Sequence, residues 1–449
     1  SKEEYGEISV IFSWIILWNV VLAYGMETAF FRFYHKHPNR QRVIATSGFS
    51  ILITTLLFVA IAQVFKNSLA ELTGIQPMYL EFTLWVLCLD ALVIMPFALL
   101  RAKGKALKYS MLKILNVAVN LGLNLFFLIL LPLWASANSL GFWDEIYRPN
   151  FEISYIFIAL FIASFLTFIL LLPYYIKLPF QFDLQLWKSM LRYALPVLFA
   201  GLAFAINEAF DKILLEQLLP AETARATLGA YAACYKLGLF MTLFATAFRL
   251  GVEPYFFSKA EASNAKKVYA EVTRIFVICG AVIMLSVMAF IHPLKQLLIP
   301  NEDYWMAMPI VPIILMANFC LGIYFSLSVW YKVTDRTKYG AYISGIAALL
   351  TIGLNLWLIP VIGFMASAWA TLAAYGTMML LSYVLGQRYY PIDYKLKDML
   401  FYLILSLVLS IAFYYLLEKN TYLVWSLWLA FLLLVFVKEK KSIQQYLLK

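Results

Sequence analysis

The sequence predicts an all-α polytopic membrane protein. Thirteen transmembrane helices are present and fourteen are expected with one upstream, as two pseudo-symmetric six-helix bundles plus two C-terminal helices. Three observations predict this class. Of 449 residues, 63% are apolar and only 13% charged, where a soluble domain carries about 25% charged residues. Thirteen runs approach the roughly 20 apolar residues that a helix needs to bridge the hydrocarbon. Lys and Arg are also partitioned between alternate loops, as the positive-inside rule demands.

The runs lie at 8–31, 43–65, 81–100, 114–133, 153–173, 193–215, 228–254, 275–291, 307–331, 340–359, 363–385, 399–417 and 421–437. Period-2 alternation in short segments is absent, which rejects a β-barrel. Aromatic residues mark several ends, among them Trp134, Trp143, Tyr174, Tyr175, Tyr304, Trp305, Tyr389 and Tyr390, as the membrane interface favours. With segment 34–42 placed inside, the inside segments hold 24 Lys and Arg and the outside segments 6. That ratio puts the C-terminal tail, 438–449, in the cytoplasm.

Short matches recur at nearly one offset. Gly25-x-Glu27-x-x-Phe30-Phe31 returns as Gly251-x-Glu253-x-x-Phe256-Phe257, 226 residues on. Lys108-Tyr109 returns as Lys338-Tyr339, at 230, and Gly122-Leu123-Asn124-Leu125 as Gly353-Leu354-Asn355-Leu356, at 231. An internal repeat of six spans follows, both copies in one orientation. The second copy starts with span 193–215, which has no counterpart in the first, so one upstream span is expected. The organisation read from this is a first bundle at 1–173, a cytoplasmic linker at 174–192, a second bundle at 193–385, and two further spans within 399–437.

Ionisable residues inside spans cost several kcal/mol unless paired or hydrated. The acids are Glu27, Asp90, Glu208, Asp211 and Glu253; the cations are Arg32, Lys212, Lys236 and Arg249. Glu208 with Lys212, and Arg249 with Glu253, stand at i and i+4 and are expected to pair. A hydrated cavity and plain helix packing both account for the set. Asn116, Asn120 and Asn124 form one stripe that must face protein or water; it serves interhelical hydrogen bonding or sugar recognition. Pro196, Pro254, Pro309 and Pro312 offer bends. The four cysteines sit in apolar runs without metal-ligand spacing, and His35 and His37 belong to a basic loop. No phosphate-binding loop, nucleotide fingerprint or nucleophile–base arrangement appears. An enzyme is therefore not expected, nor a cofactor, metal or nucleic-acid partner. The loops leave no room for an ATPase domain, so any transport runs on an ion, voltage or substrate gradient.

The stretch "YALPVLFAGLAFAINEAFD" at 193–211, followed by "KILLEQLLP" and "LGAYAACYKLG" at 228–238, resembles the polysaccharide flippase family. So does "GLNLWLIPVIGFMASAWAT" at 353–371, while "YGMETAFFRF" at 24–33 is similar to its lipopolysaccharide-biosynthesis (O-antigen) branch. The larger superfamily also holds lipid II flippases and ion-coupled multidrug exporters, which remain alternatives. The resemblance implies two bundles around a cavity in a bacterial inner membrane. It implies an undecaprenyl-diphosphate-linked oligosaccharide moved from the cytoplasmic to the periplasmic leaflet. Membrane lipids, a polysaccharide polymerase and glycosyltransferases are the implied partners. The diphosphate needs cations, with Arg249 first, then Lys212, Lys236 and Arg32. Asp211 and Glu27 are candidates for cation coupling.

Overall fold

A computed structural model describes residues 1–137, 146–258, 262–334, 336–417 and 420–447. Among these, thirteen helices are long and apolar enough to cross a membrane. They are α1 Lys2–Lys36, α2 Arg40–Val64, α3 Pro77–Ala102, α4 Ala106–Ala135, α5 Glu152–Ile176, α6 Leu184–Leu218 and α7 Ala221–Val252. The rest are α8 Ala265–Ala289, α9 Glu302–Val333, α10 Lys338–Ile362, α11 Met365–Tyr389, α12 Leu396–Leu416 and α13 Thr421–Lys440. Each overlaps one expected span, and most extend past it. Backbone groups near lipid must still be bonded where the apolar run stops, so the helices continue into polar flanks.

The chain divides into two compact units, Val10–Ala205 (the first) and Ser1–Ser9 with Ile206–Lys449 (the second). In the first unit α3 packs on α1, α2 and α5, and α5 on α4. In the second, α9 packs on α7, α8 and α11, and α11 on α10. Adding six to each label of the first set gives the second, which is the repeat expressed in packing. The central helix of each unit is also its most enclosed: α3 is 83% buried over its most apolar window and α9 is 94% buried. Close packing, rather than escape from water, holds such helices together in lipid. A Cβ on Gly322 of α9 would lie 2.2 Å from the Phe276 ring of α8, and one on Gly280 2.4 Å from the Phe319 ring. Glycine at both places lets the two helices approach. In the second unit α12 and α13 pack against α8.

The helix α1 breaks at Tyr24 (φ 30°) and Gly25 (φ 70°). At the break the Tyr24 hydroxyl meets Ser50 Oγ at 2.6 Å, and Trp187 Nε1 donates to the same oxygen at 2.7 Å. A Cβ on Gly25 would sit 2.4 Å from the Ala194 carbonyl oxygen of α6. The left-handed backbone and this contact both require glycine. Gly25→Ala is expected to destabilise the protein by about 1–3 kcal/mol, read as a lower midpoint in a thermal melt of the purified protein. An unchanged midpoint would mean that the turn relaxes freely.

Candidate functional site

The second unit encloses a polar network built on α6. Asn207 and Asp211 are one helical turn apart, and both are buried, at 3% and 1% exposure. Thr351 of α10 donates through Oγ1 to Asn207 Oδ1 at 2.7 Å, and Tyr375 of α11 donates to Glu208 Oε2 at 3.1 Å. Tyr231 of α7, fully buried, donates to Asp211 Oδ2 at 2.8 Å. The Lys212 ammonium lies 3.2 Å from Asp211 Oδ1 and 4.6 Å from the Tyr235 ring centroid. Further along α10, Asn355 Nδ2 donates to the Thr351 carbonyl at 2.7 Å, while Asn355 Oδ1 accepts from Ser367 of α11 at 2.6 Å. Buried donors and acceptors are thus matched across four helices, which fixes their mutual rotation.

The expected Glu208–Lys212 pair is not formed. Tyr375 takes one Glu208 oxygen, and Lys212 is held by Asp211 on its own turn and by the Glu208 carbonyl at 3.3 Å. Lys236 lies over the Tyr5 ring, 4.5 Å from its centroid.

Arg249 belongs to a different group. Its guanidinium carbon lies 4.5 Å from the Phe325 ring centroid. Arg249 and Lys332 line one pocket with Phe325, Ser326 and Ser328 of α9. Ser326 Oγ is buried there without a hydrogen-bond partner among the described residues. Guanidinium, ammonium and hydroxyl groups on one pocket wall are donors suited to an anion. The side chain of Glu253, the expected partner of Arg249, lies outside the described residues. Residues Trp143 and Lys419 lie outside them as well.

In the first unit the amide stripe faces protein in part. Asn116 Nδ2 donates to Thr167 Oγ1 of α5 at 2.9 Å, and Asn124 Nδ2 donates to the Asn120 carbonyl at 2.8 Å. That bond of Asn124 repeats the bond of Asn355 to Thr351, the matching place in the second copy. Asp90 Oδ1 accepts from Ser164 Oγ at 2.8 Å, Glu27 is ion-paired with Arg101, and Arg32 lies 4.3 Å from the Tyr193 ring centroid. The structure thus gathers Glu208, Asp211 and Lys212 into one network and sets Arg249 with Lys332.

Sequence reading missed Tyr231, Tyr375, Asn207, Thr351 and Lys332. The repeat held a signal, since the match 122–125 to 353–356 pairs Asn124 with Asn355.

The second unit repeats the packing of the first, seals a polar network among its helices and carries two helices beyond the repeat. The model of the family described as "Polysaccharide biosynthesis protein" matches residues 1–257, more than half of the chain, and the chain belongs to that family. A second family model, MatE, matches residues 217–357. No curated protein matches. Among solved structures the chain is similar to the lipid II flippase MurJ in an inward closed conformation. The identity is 16%, the likeness covers 99% of this chain and 94% of that one, and the TM-score is 0.74. An inward-facing multidrug resistance MATE family transporter of the MOP superfamily is 14% identical over 86% of this chain and 90% of its own, with a TM-score of 0.62. A MOP superfamily transporter from Pyrococcus furiosus is 15% identical over 86% and 87%, with a TM-score of 0.56. At these identities the likenesses concern the fold, which is that of the MOP superfamily transporters.

Proposed function

We propose that the protein flips an undecaprenyl-diphosphate-linked oligosaccharide from the cytoplasmic to the periplasmic leaflet of a bacterial inner membrane. It does so by alternating access and supplies cell-surface polysaccharide synthesis. Segment 34–42 and the C-terminal tail then face the cytoplasm. The observation that carries the reading is the polysaccharide biosynthesis family match over 1–257. Coverage favours a flippase over a drug exporter. The lipid II flippase accounts for 99% of the chain and the multidrug transporter for 86%, a difference about the length of the chain beyond Tyr389. On depletion of the protein, undecaprenyl-linked repeat units should accumulate on the cytoplasmic face. Their absence there would sink the reading. Lipid II transport is the second reading, favoured by that same flippase likeness. Flipping of labelled lipid II, and not of the linked oligosaccharide, by the protein in vesicles would establish it.

The diphosphate has to meet cations in a medium of low dielectric constant, and Arg249 with Lys332 supplies them. Charge-assisted hydrogen bonds contribute about 1.5–3 kcal/mol each. Arg249→Ala is therefore expected to lower polymer export on the order of ten- to a hundredfold at a normal membrane level. Normal export would remove Arg249 from the substrate path. For cation coupling we favour Glu208 over the more enclosed Asp211: Glu208 is half-buried and gives one oxygen to Tyr375. Asp211 serves chiefly to hold Lys212 and Tyr231 in place.

A further inference from the structure

Four lysines face one pocket at a single end of the first unit. Gly104, with φ 69°, terminates α3, and the amide of Lys105 folds back to the Leu100 carbonyl at 2.9 Å. That turn brings Lys103, Lys105 and Lys108 around a pocket of about 350 Å³, which Lys177 closes from the end of α5. Its volume falls within the range of about 300–1,000 Å³ common for ligand sites. The Lys108 ammonium stands 5.3 Å from the Tyr174 ring centroid, and the Tyr174 hydroxyl makes no hydrogen bond among the described residues.

The charge at this end of the bundle is selectively unbalanced. Arg101 is paired with Glu27, and Arg42 lies 3.7 Å from Asp183. No carboxylate lines the pocket, and none of its four lysines has an ion-pair partner among the described residues. Beside the lysines, Leu107, Ile176 and Phe180 are 75%, 74% and 93% exposed. Ammonium groups next to exposed apolar side chains suit the membrane interface, where cations meet lipid phosphates and apolar groups meet the tails. We propose that this pocket binds the phosphate headgroup of an anionic phospholipid, whose acyl chains lie on Leu107, Ile176 and Phe180. Such a lipid would anchor the ends of α3, α4 and α5 at one depth in the bilayer. The proposal is independent of what the transporter carries.

Native mass spectrometry of the full chain in detergent, titrated with phosphatidylglycerol, tests it. Wild type should retain phosphatidylglycerol in preference to zwitterionic phosphatidylethanolamine. The variant Lys103→Gln/Lys105→Gln/Lys108→Gln/Lys177→Gln should bind it about fivefold more weakly for each lysine removed. The same four positions changed to Arg should keep the binding, and the pair Lys397→Gln/Lys440→Gln, which does not line the pocket, should leave it unaltered. Equal retention by wild type and the Gln variant would overturn the proposal. So would loss of binding in a folded Arg variant. Lysine-dependent retention of undecaprenyl diphosphate without phosphatidylglycerol would overturn it too, assigning the pocket to a polyprenyl lipid instead.

Discussion

Arg274→Ala is expected to loosen the two C-terminal helices from α8 and to cost about 3–5 kcal/mol, the range for stripping one partner from a buried ion pair. Arg274 of α8 is only 5% exposed. It donates through Nη1 to Glu439 Oε2 of α13 and through Nη2 to Glu271 Oε1, both at 2.6 Å. Glu439, itself 6% exposed, also accepts from the Tyr402 hydroxyl of α12 at 3.0 Å. One guanidinium thus ties α13 to α8, and Glu439 brings in α12. Without it Glu439 is a buried charge whose remaining partner among the described residues is a phenol. The expected results are a lower thermal midpoint and faster proteolysis between α11 and α12. Arg274→Leu/Glu439→Leu should recover most of the loss, because no charge is then left unpaired. If Arg274→Ala melts and is cleaved like wild type, the cluster does not hold these helices.

The sequence made the helices legible because the bilayer imposes a length. A run near 20 apolar residues is hard to place elsewhere, so all thirteen spans were found although their ends were not. The repeat was visible in three short matches, and the packing of α3 and α9 expresses it. The pairing of distant residues was not legible. Arg274 and Glu439 are 165 residues apart, and nothing in either neighbourhood announces the other. The break in α1 was equally hidden. Gly25 was noticed only as part of the repeat, whereas its need comes from its φ and from the Ala194 carbonyl, a fact of packing.

The site was legible by residue type and illegible by partner. Charged groups in apolar runs marked Glu208, Asp211 and Lys212, which do share one network. Spacing on a single helix then suggested the wrong pair, because it ignores what α7 and α11 bring. Nothing in the sequence sets Tyr231 and Tyr375 apart from the other aromatics, yet they are the donors that position the acids.

Asp211→Ala is expected to cost a further large amount of stability, about 3–5 kcal/mol. The Lys212 side chain is 16% exposed and would lose the one carboxylate within ion-pair distance of it among the described residues. The fully buried Tyr231 hydroxyl would lose its acceptor. Asp211→Asn keeps an oxygen for Tyr231 while removing the charge opposite Lys212, so it should fall between Ala and wild type. Asp211→Asn/Lys212→Met removes both charges and should melt within about 1 kcal/mol of wild type, since replacing a whole buried pair is often near neutral. Function separates holding from coupling. If Asp211 and Lys212 only hold the helices, the double variant exports surface polysaccharide, whereas Glu208→Gln, at a normal membrane level, does not. A double variant that folds but exports nothing would place the Asp211–Lys212 pair in the transport step itself. A single Asp211→Ala variant that melts at the wild-type temperature would show that α6 and α7 stay in place without it.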